Sequence, residues 1–228
     1  SVSLSADGNI VAIGAYQNDG NGANSGHVRI YENNNGSWVQ LGQDINGKLS
    51  YDYSGHSISL SSDGNIVAIG AYQNDGNGAN SGHVRIYDYN GSAWVQVGAD
   101  IDGEADSDGS GKSLSLSSDG SRVAIGAMNN DGNGSNSGHV RIYDYNGSAW
   151  VQVGGDIDGE AADDRSGRTL SLSSDGSRVA IGAPANDGNG FDSGHVRIYD
   201  FNGSAWVQVG GDIDGEAATD NSGIRVSL

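Results

Sequence analysis

The fold of this chain is decided by the stretch Leu116-Ser-Ser-Asp-Gly-Ser-Arg-Val-Ala-Ile-Gly-Ala127. The segment that overlaps its beginning, Ser113 to Ser117, alternates serine with leucine, which is the period of two of a half-buried strand. The pair Asp119-Gly120 is a turn signal, and the run from Arg122 to Ala127 is apolar on both faces, as in a strand buried between two sheets. The stretch therefore predicts two antiparallel strands joined by a tight turn.

Two more strands follow within the same unit. A polar, glycine-rich loop at residues 130–134 leads into His139-Val-Arg-Ile-Tyr143, which alternates again. Asn146-Gly147 favours a hairpin, because both residues tolerate the positive φ of a type I′ turn, and Trp150-Val-Gln-Val153 supplies the fourth strand. Four short antiparallel strands joined by tight turns are typical of a propeller blade.

The unit recurs without insertion or deletion, since Trp38, Trp94, Trp150 and Trp206 are each 56 residues apart. We therefore predict an all-β β-propeller built from four-stranded antiparallel blades. The predicted blades are residues 1–56, 57–112, 113–168 and 169–224, and 225–228 are the start of a fifth repeat or a surplus strand. A β-solenoid is the rival architecture, but its coils are usually shorter, about 20–30 residues, and lack repeated Asn-Gly hairpins.

A blade that is apolar on both faces is stable only when copies of itself stack on it. The tryptophan at a fixed place in each copy is expected to fill the space between adjacent blades. At the chain ends, Val2-Ser-Leu4 matches Val226-Ser-Leu228 after four full periods. We expect either that the four blades are part of a larger array or that the last strand pairs with another chain.

Composition excludes several classes of protein. Glycine supplies 39 of the 228 residues and no stretch longer than nine residues lacks it, so helices, which average about 11–12 residues, are nearly excluded. The net charge of −18 repels phosphate backbones and anionic membrane surfaces, so we expect no nucleic-acid partner. No apolar stretch approaches the ~20 residues of a membrane helix, so we expect no membrane insertion. The absence of cysteine excludes a thiolate metal site.

The chain resembles two groups of propeller repeats. The stretch quoted first, together with Val140-Arg-Ile-Tyr-Asp144, resembles the hairpin and third strand of WD40-like blades. Ser166-Gly-Arg-Thr-Leu-Ser-Leu172 through Ile181-Gly-Ala-Pro184 is similar to the FG-GAP repeat of integrin-α-like propellers. Serine replaces the phenylalanine of the FG element in every copy, and a bare Asp-Gly turn occupies the place of the calcium loop common in that family. The resemblance implies an adhesion or recognition module located outside the cell or at its surface.

Acidic residues recur after the fourth strand of each blade. Asp100-Ile-Asp-Gly-Glu104 and Asp108 place carboxylates beside a glycine turn, an arrangement of oxygen ligands that suits Ca²⁺. The alternative is that these residues cap turns through backbone hydrogen bonds. In the first copy, Lys48 stands where the others have glutamate. The candidate metal ligands are Asp100, Asp102, Glu104, Asp108, Asp156, Asp158, Glu160, Asp164, Asp212, Asp214, Glu216 and Asp220.

Other polar residues are candidates for ligand binding or modification. The loops after the second strands would share one rim of a propeller, and their ligand candidates are Asn18, Asp19, Asn74, Asp75, Asn130, Asp131, Asn186 and Asp187. The alternative is a long connection that needs positive φ at two glycines. Asn-Gly-Ser sequons predict glycosylation at Asn35, Asn90, Asn146 and Asn202, although Asn-Gly is also the preferred hairpin turn.

Catalysis is not expected from the repeated residues. Every serine, histidine and aspartate of a would-be triad recurs in each copy, whereas an active site needs one constellation with unequal environments. The histidines that open the third strands, His27, His83, His139 and His195, are expected to bond loop carbonyls, and His56 has no histidine counterpart. We predict a non-catalytic extracellular recognition or adhesion module that binds protein or glycan through its rim loops. The alternative is a structural subunit of a filament or surface layer, self-associating by strand addition.

Overall fold

The computed structural model describes residues 1–228, which form twenty strands and no helix. The first sheet contains β1 (Val2–Leu4), β2 (Ile10–Ala15), β3 (His27–Asn34), β4 (Ser37–Gln40) and β5 (Ile45–Asn46). The second contains β6 (Ser57–Leu60), β7 (Ile66–Ala71), β8 (His83–Tyr89), β9 (Trp94–Gln96) and β10 (Ile101–Asp102). The third contains β11 (Ser113–Leu116), β12 (Arg122–Ala127), β13 (His139–Tyr145), β14 (Trp150–Gln152) and β15 (Ile157–Asp158). The fourth contains β16 (Thr169–Leu172), β17 (Arg178–Ala183), β18 (His195–Phe201), β19 (Trp206–Gln208) and β20 (Ile213–Asp214).

The four sheets, which we call blades 1 to 4, share one antiparallel topology. The first four strands of a blade are hydrogen-bonded in chain order, and the fifth pairs with the beginning of the third. In blade 3 this places Ile157 opposite Val140, while the far half of β13 pairs with β14. The predicted all-β propeller of antiparallel blades is confirmed. The two-residue fifth strand departs from the predicted four, because so short a segment carries no periodic pattern.

The second strand is the most buried element of blades 2, 3 and 4, whereas β2 of blade 1 is partly exposed. In β12, Val123 and Ile125 are almost completely buried, and Gly126 approaches the backbone of the turn that follows the blade. A side chain at this glycine would collide with the carbonyl oxygen of Gly167. The Ile-Gly-Ala pattern at the end of every second strand therefore results from close backbone packing.

The apolar cores lie between blades. Val28 and Ile30 of blade 1 pack with Val67 of blade 2, and Trp94 belongs to the same cluster. The indole N–H of Trp94 donates to the carbonyl oxygen of Leu41 in blade 1 at 2.8 Å, and its side chain is 3 % exposed. Trp38, at the same repeat position but with no blade in front of it, is 51 % exposed. Each blade is thus completed by its neighbour.

The first strands of the blades lie side by side, and we call β1, β6, β11 and β16 the inner strands. The backbone N–H of Leu172 donates to Ser115 Oγ of the preceding blade at 3.1 Å. In the same way, the N–H of Leu228 donates to Ser171 Oγ at 3.0 Å. Residues 226–228 therefore take the place of an inner strand next to blade 4. No helix in the structure is long and apolar enough to cross a membrane.

The two ends of each blade carry different connections. At one end, which we call the loop face, the second strand finishes and the third begins, so that Ala127 lies opposite His139. The inner strand also begins there, since Ser113 pairs with Gly126. The Asp-Gly and Asn-Gly turns occupy the opposite end, the turn face. The long connections of all four blades consequently open on the loop face.

Candidate functional site

The beginnings of all four inner strands line a concave cavity of about 670 Å³ on the loop face, which we call the channel mouth. Three cationic side chains, Lys112, Arg168 and Arg225, belong to its walls, together with His56. No carboxylate is among the lining residues.

The basic residues converge because they share a repeat position. His56, Lys112 and Arg168 each stand one residue before an inner strand and directly after a glycine. Gly111, for example, has φ of 82°, which glycine adopts without strain, and its N–H donates to the carbonyl oxygen of Gly126 at 3.1 Å. Because the blades are arranged around one axis, this single position brings three basic groups to one opening.

The protein does not neutralise these cations. Six of the eleven Lys and Arg side chains form ion pairs with Asp or Glu. Of the remaining five, Lys112, Arg168 and Arg225 line the channel mouth. In a chain with 29 acidic residues, the mouth is therefore a local reversal of the surface charge. Unpaired cations in a concave, carboxylate-free cavity attract a small anion.

His56 and Lys112 are in direct contact beside two tyrosines. Lys112 Nζ lies 3.2 Å from His56 Nε2 and 3.7 Å from the ring centre of Tyr72, a cation–π contact. The ring of His56 packs against Tyr16 and Tyr72, with ring centres 5.3 and 4.6 Å away. Burial, followed by the charge of Lys112, lowers the pKa of His56 to about 4. Burial and then Arg168 lower the pKa of Lys112 from its ordinary value.

These contacts define what the channel mouth can do chemically. At neutral pH the imidazole of His56 is uncharged, with Nε2 against Lys112 and Nδ1 buried, so Nε2 can accept a proton from water or a hydroxyl group once Lys112 moves away. A guanidinium or an ammonium can bind a phosphate or carboxylate, or stabilise a developing oxyanion. Comparison of identical residues between copies misses this site. The sequence signal for this site is a repeat position at which the copies differ. Its residues are His56, Lys112, Arg168 and Ile224.

A second group of polar residues lies on the same face, at the beginning of the third strands. His83, His139 and His195 are each 1–2 % exposed, and in each the Nδ1 atom faces carboxylates rather than the expected loop carbonyl. The nearest pair is His83 Nδ1 and Asp100 Oδ2, at 3.3 Å. Burial, followed by the arginine two residues later, lowers the pKa of all three histidines. They are therefore neutral at pH 7.

The twelve acidic candidates are distributed over several environments. Asp100, Asp156 and Asp212 lie against the histidine of their own blade, and Glu104 and Glu160 lie against the histidine of the following blade. Asp102, Asp158 and Asp214 end the fifth strands opposite the same histidines. Asp108, Asp164 and Asp220 accept bonds from the backbone N–H three residues earlier, and Glu216 belongs to none of the His and acidic groups. The His and acidic groups could hold a metal ion, and calcium stays a prediction.

The predicted rim and glycosylation residues form local turns. Asn18, Asn74, Asn130 and Asn186 accept a bond from the backbone N–H two residues later, and Asp19, Asp75, Asp131 and Asp187 from the one five residues later. Asn90, Asn146 and Asn202 cap exposed hairpins in the same manner, and Asn35 has a positive φ of 51°. Ligand binding at the loops and glycosylation at the hairpins stay predictions.

Comparison with known proteins supports the fold. Residues 46–87 match the family model of the FG-GAP repeat, which confirms that resemblance for this segment. No curated protein matches the sequence. Among solved structures, similar folds occur in candidate 6-phosphogluconolactonases from Bacteroides uniformis (TM-score 0.63, 14 % identity) and Bacteroides fragilis (TM-score 0.61, 13 % identity). The periplasmic gluconolactonase PpgL of Pseudomonas aeruginosa is also similar (TM-score 0.54, 15 % identity). The alignments cover 93–96 % of this chain but only 55–56 % of the other chains, so the chain spans about half their length.

These relatives correct two predictions. Propellers with this arrangement of blades include proteins named as lactonases, so the prediction of a non-catalytic recognition or adhesion module, with a filament or surface-layer subunit as its alternative, is wrong. The prediction that the chain is not an enzyme fails with it. Both predictions assumed that every functional residue would recur in each of the four copies. The channel mouth instead assembles unequal residues from successive blades, which is the asymmetry that an active site needs.

Proposed function

We propose that this chain provides the substrate-binding face of a β-propeller enzyme that hydrolyses the lactone of an acidic sugar. The observation that carries the proposal is the channel mouth, where three cations without a carboxylate partner meet in an otherwise acidic chain. A sugar lactone with a phosphate group has the charge and size that such an opening accepts. The names of the similar structures, 6-phosphogluconolactonase and gluconolactonase, point to the same substrate class.

Each residue of the channel mouth has a role in this proposal. The guanidinium groups of Arg168 and Arg225 bind the phosphate or carboxylate of the sugar. Lys112 moves from His56 Nε2 to the lactone carbonyl oxygen, and the freed Nε2 of neutral His56 takes a proton from water. The water oxygen forms a bond to the lactone carbonyl carbon while the carbonyl oxygen becomes an oxyanion beside Lys112. When the oxyanion collapses, the ring C–O bond breaks and the leaving oxygen receives the proton from His56. The product is an open-chain hydroxy acid.

Product binding tests the site without relying on turnover. We expect 6-phosphogluconate to bind the chain in isothermal titration calorimetry, and Arg168→Ala to weaken that binding by about tenfold or more, since hydrogen bonds to charged groups contribute roughly 1.5–3 kcal/mol. Arg178→Ala is the matched control. Arg178 is the first residue of β17 in the same chain, but it is ion-paired with Asp200 and lies on the turn face.

Two results would contradict the proposal. One is the absence of any binding of 6-phosphogluconate at low ionic strength. The other is an equal loss of affinity in the Arg168 and Arg178 variants, which would show a diffuse charge effect. Gluconate without phosphate should bind more weakly than 6-phosphogluconate. Hydrolysis of 6-phosphogluconolactone above the spontaneous rate is then measured on the same samples.

The low pKa of His56 predicts the acid limb of the pH profile. His56 acts as a base only when it is neutral. As the pH is lowered from 7, kcat/KM for the lactone should therefore stay constant until the pH approaches the pKa of about 4, where it should fall. His56→Gln should remove this limb together with most of the rate. With gluconolactone, which lacks a phosphate that titrates at about pH 6, a limb near the ordinary histidine pKa of about 6.5 would show that another group is the base.

We also infer that the protein acts outside the cytoplasm. Its FG-GAP segment at residues 46–87 and its similarity to a periplasmic gluconolactonase support this location. Fractionation of cells that express the gene, followed by immunoblotting, tests it.

A further inference from the structure

Two similar clusters of side chains bridge successive blades. The first joins Glu104 of blade 2 to His139 and Asp156 of blade 3, and the second repeats it one blade later with Glu160, His195 and Asp212. His195 Nδ1 lies 4.0 Å from Glu160 Oε2 and 3.8 Å from Asp212 Oδ2. The distances are too long for direct hydrogen bonds. The three ligand atoms lie within 4.8 Å of one another, so they would have to move closer together to bind an ion at the distance of about 2.0–2.1 Å typical of zinc.

The remaining oxygens of these carboxylates are already occupied. Gln208 Nε2 donates to Asp212 Oδ1 at 2.6 Å, and Arg197 lies 3.3 Å from Glu160 Oε1. In the other cluster, Gln152 and Arg141 hold Asp156 and Glu104 in the same way. Each carboxylate therefore turns its free oxygen toward the histidine. Such outer hydrogen bonds are the usual support of metal ligands.

The histidine of the second cluster lacks a partner. His195 is 1 % exposed, yet neither ring nitrogen makes a hydrogen bond. A buried polar atom without a partner is rare, because its desolvation is uncompensated. Nδ1 faces the free oxygens of Glu160 and Asp212, and Asp214 Oδ1 also lies 4.0 Å away, so a bound cation at that point would give the histidine nitrogen and these oxygens a partner.

We propose that each of these two clusters binds one zinc ion and thereby clamps adjacent blades together. A histidine nitrogen with two carboxylate oxygens is a ligand set that zinc takes with a fourth position left for water. Calcium prefers six to eight oxygens, which these clusters do not supply. This inference is independent of the lactonase proposal and concerns a different part of the loop face.

The equivalent position between blades 1 and 2 is closed by a cation of the protein. His83, Asp100 and Asp102 also lie together there. Lys48 replaces the glutamate, however, and its Nζ lies 2.6 Å from Asp100 Oδ2, so the ammonium occupies the place of a metal ion. In blade 1, Asp44 is held by Arg29 in a two-bonded ion pair. The expected stoichiometry is therefore two zinc ions per chain.

Metal counting on the untagged chain tests the proposal. After treatment with EDTA and equilibration with zinc chloride at pH 7, we expect titration calorimetry and elemental analysis to give two zinc ions per chain. Glu160→Gln should reduce the number to one. Glu216→Gln is the matched control, because Glu216 occupies the same repeat position without a following histidine, and two ions should remain. Lys48→Glu should add a third ion.

Cobalt gives an independent readout, since Co²⁺ in a four-coordinate site absorbs strongly in the visible range. We expect this absorption from the native chain and a loss of about half of it in Glu160→Gln. The proposal is overturned if no zinc binds, if Glu160→Gln and Glu216→Gln lower the number equally, or if Lys48→Glu adds no ion. Displacement of the zinc by an equal concentration of calcium would also overturn it.

Discussion

Gly126→Ala is expected to destabilise the protein by about 3 kcal/mol, the upper part of the range for overpacking a tight interior. A Cβ at this position would overlap the carbonyl oxygen of Gly167 and approach Ser113 Oγ. The obstacle is backbone rather than a flexible side chain, so the strand itself must move. Thermal unfolding followed by circular dichroism should show a melting temperature lower by roughly 6–12 °C.

Gly155→Ala is the matched control for this substitution. Gly155 has no positive φ, and a Cβ there would meet nothing within 4 Å. The alanine should leave the free energy of unfolding unchanged or raise it by up to about 1 kcal/mol, because it restricts the unfolded chain. Equal melting temperatures for the two variants would show that the close approach of Gly126 to Gly167 does not exist in solution.

Trp94→Ala is expected to cost about 3–5 kcal/mol of unfolding free energy. The substitution removes a large buried side chain from the core between blades 1 and 2 and leaves the carbonyl oxygen of Leu41 without its donor. It also removes the contact with Tyr89, whose ring centre is 5.2 Å away. Urea unfolding followed by fluorescence of the remaining tryptophans measures the effect.

Trp38→Ala makes the same chemical change at the same repeat position. Because Trp38 is half exposed and faces no blade, its loss should cost about 1 kcal/mol or less. The difference between the two variants measures what the neighbouring blade contributes. If both variants lose the same stability, the tryptophan acts within its own blade, and the cores do not lie between blades.

The architecture was predictable because the same sequence signals recur in every blade. The alternation in β11, the apolar run of β12 and the Asn146-Gly147 turn each specify a local structure, and 56-residue spacing specifies stacking. The pairing of β15 with β13 was not predictable. A strand of two residues has no period, and its position depends on where the loop before it returns.

The candidate sites were less predictable, for two physical reasons. Glu104 meets His139 only because one blade is rotated against the next, and no local pattern encodes that rotation. The channel mouth depends on position 56 of the repeat, where the residues differ between copies. A search for repeated residues finds the scaffold. The sequence identified the acidic turn residues as candidates. Only the structure showed that some of them contact the histidine of their own blade and others that of the next blade.

The residue before each inner strand has a consequence for engineering. His56, Lys112 and Arg168 follow a glycine turn and belong to none of the apolar clusters between blades. His56 and Lys112 are in contact and would be exchanged together, whereas Arg168 can be exchanged on its own, so the charge and shape of the opening can be varied on a constant backbone. Replacing Lys112 and Arg168 with acidic or aromatic side chains would make the opening accept amines or flat ring systems in place of the anion proposed above.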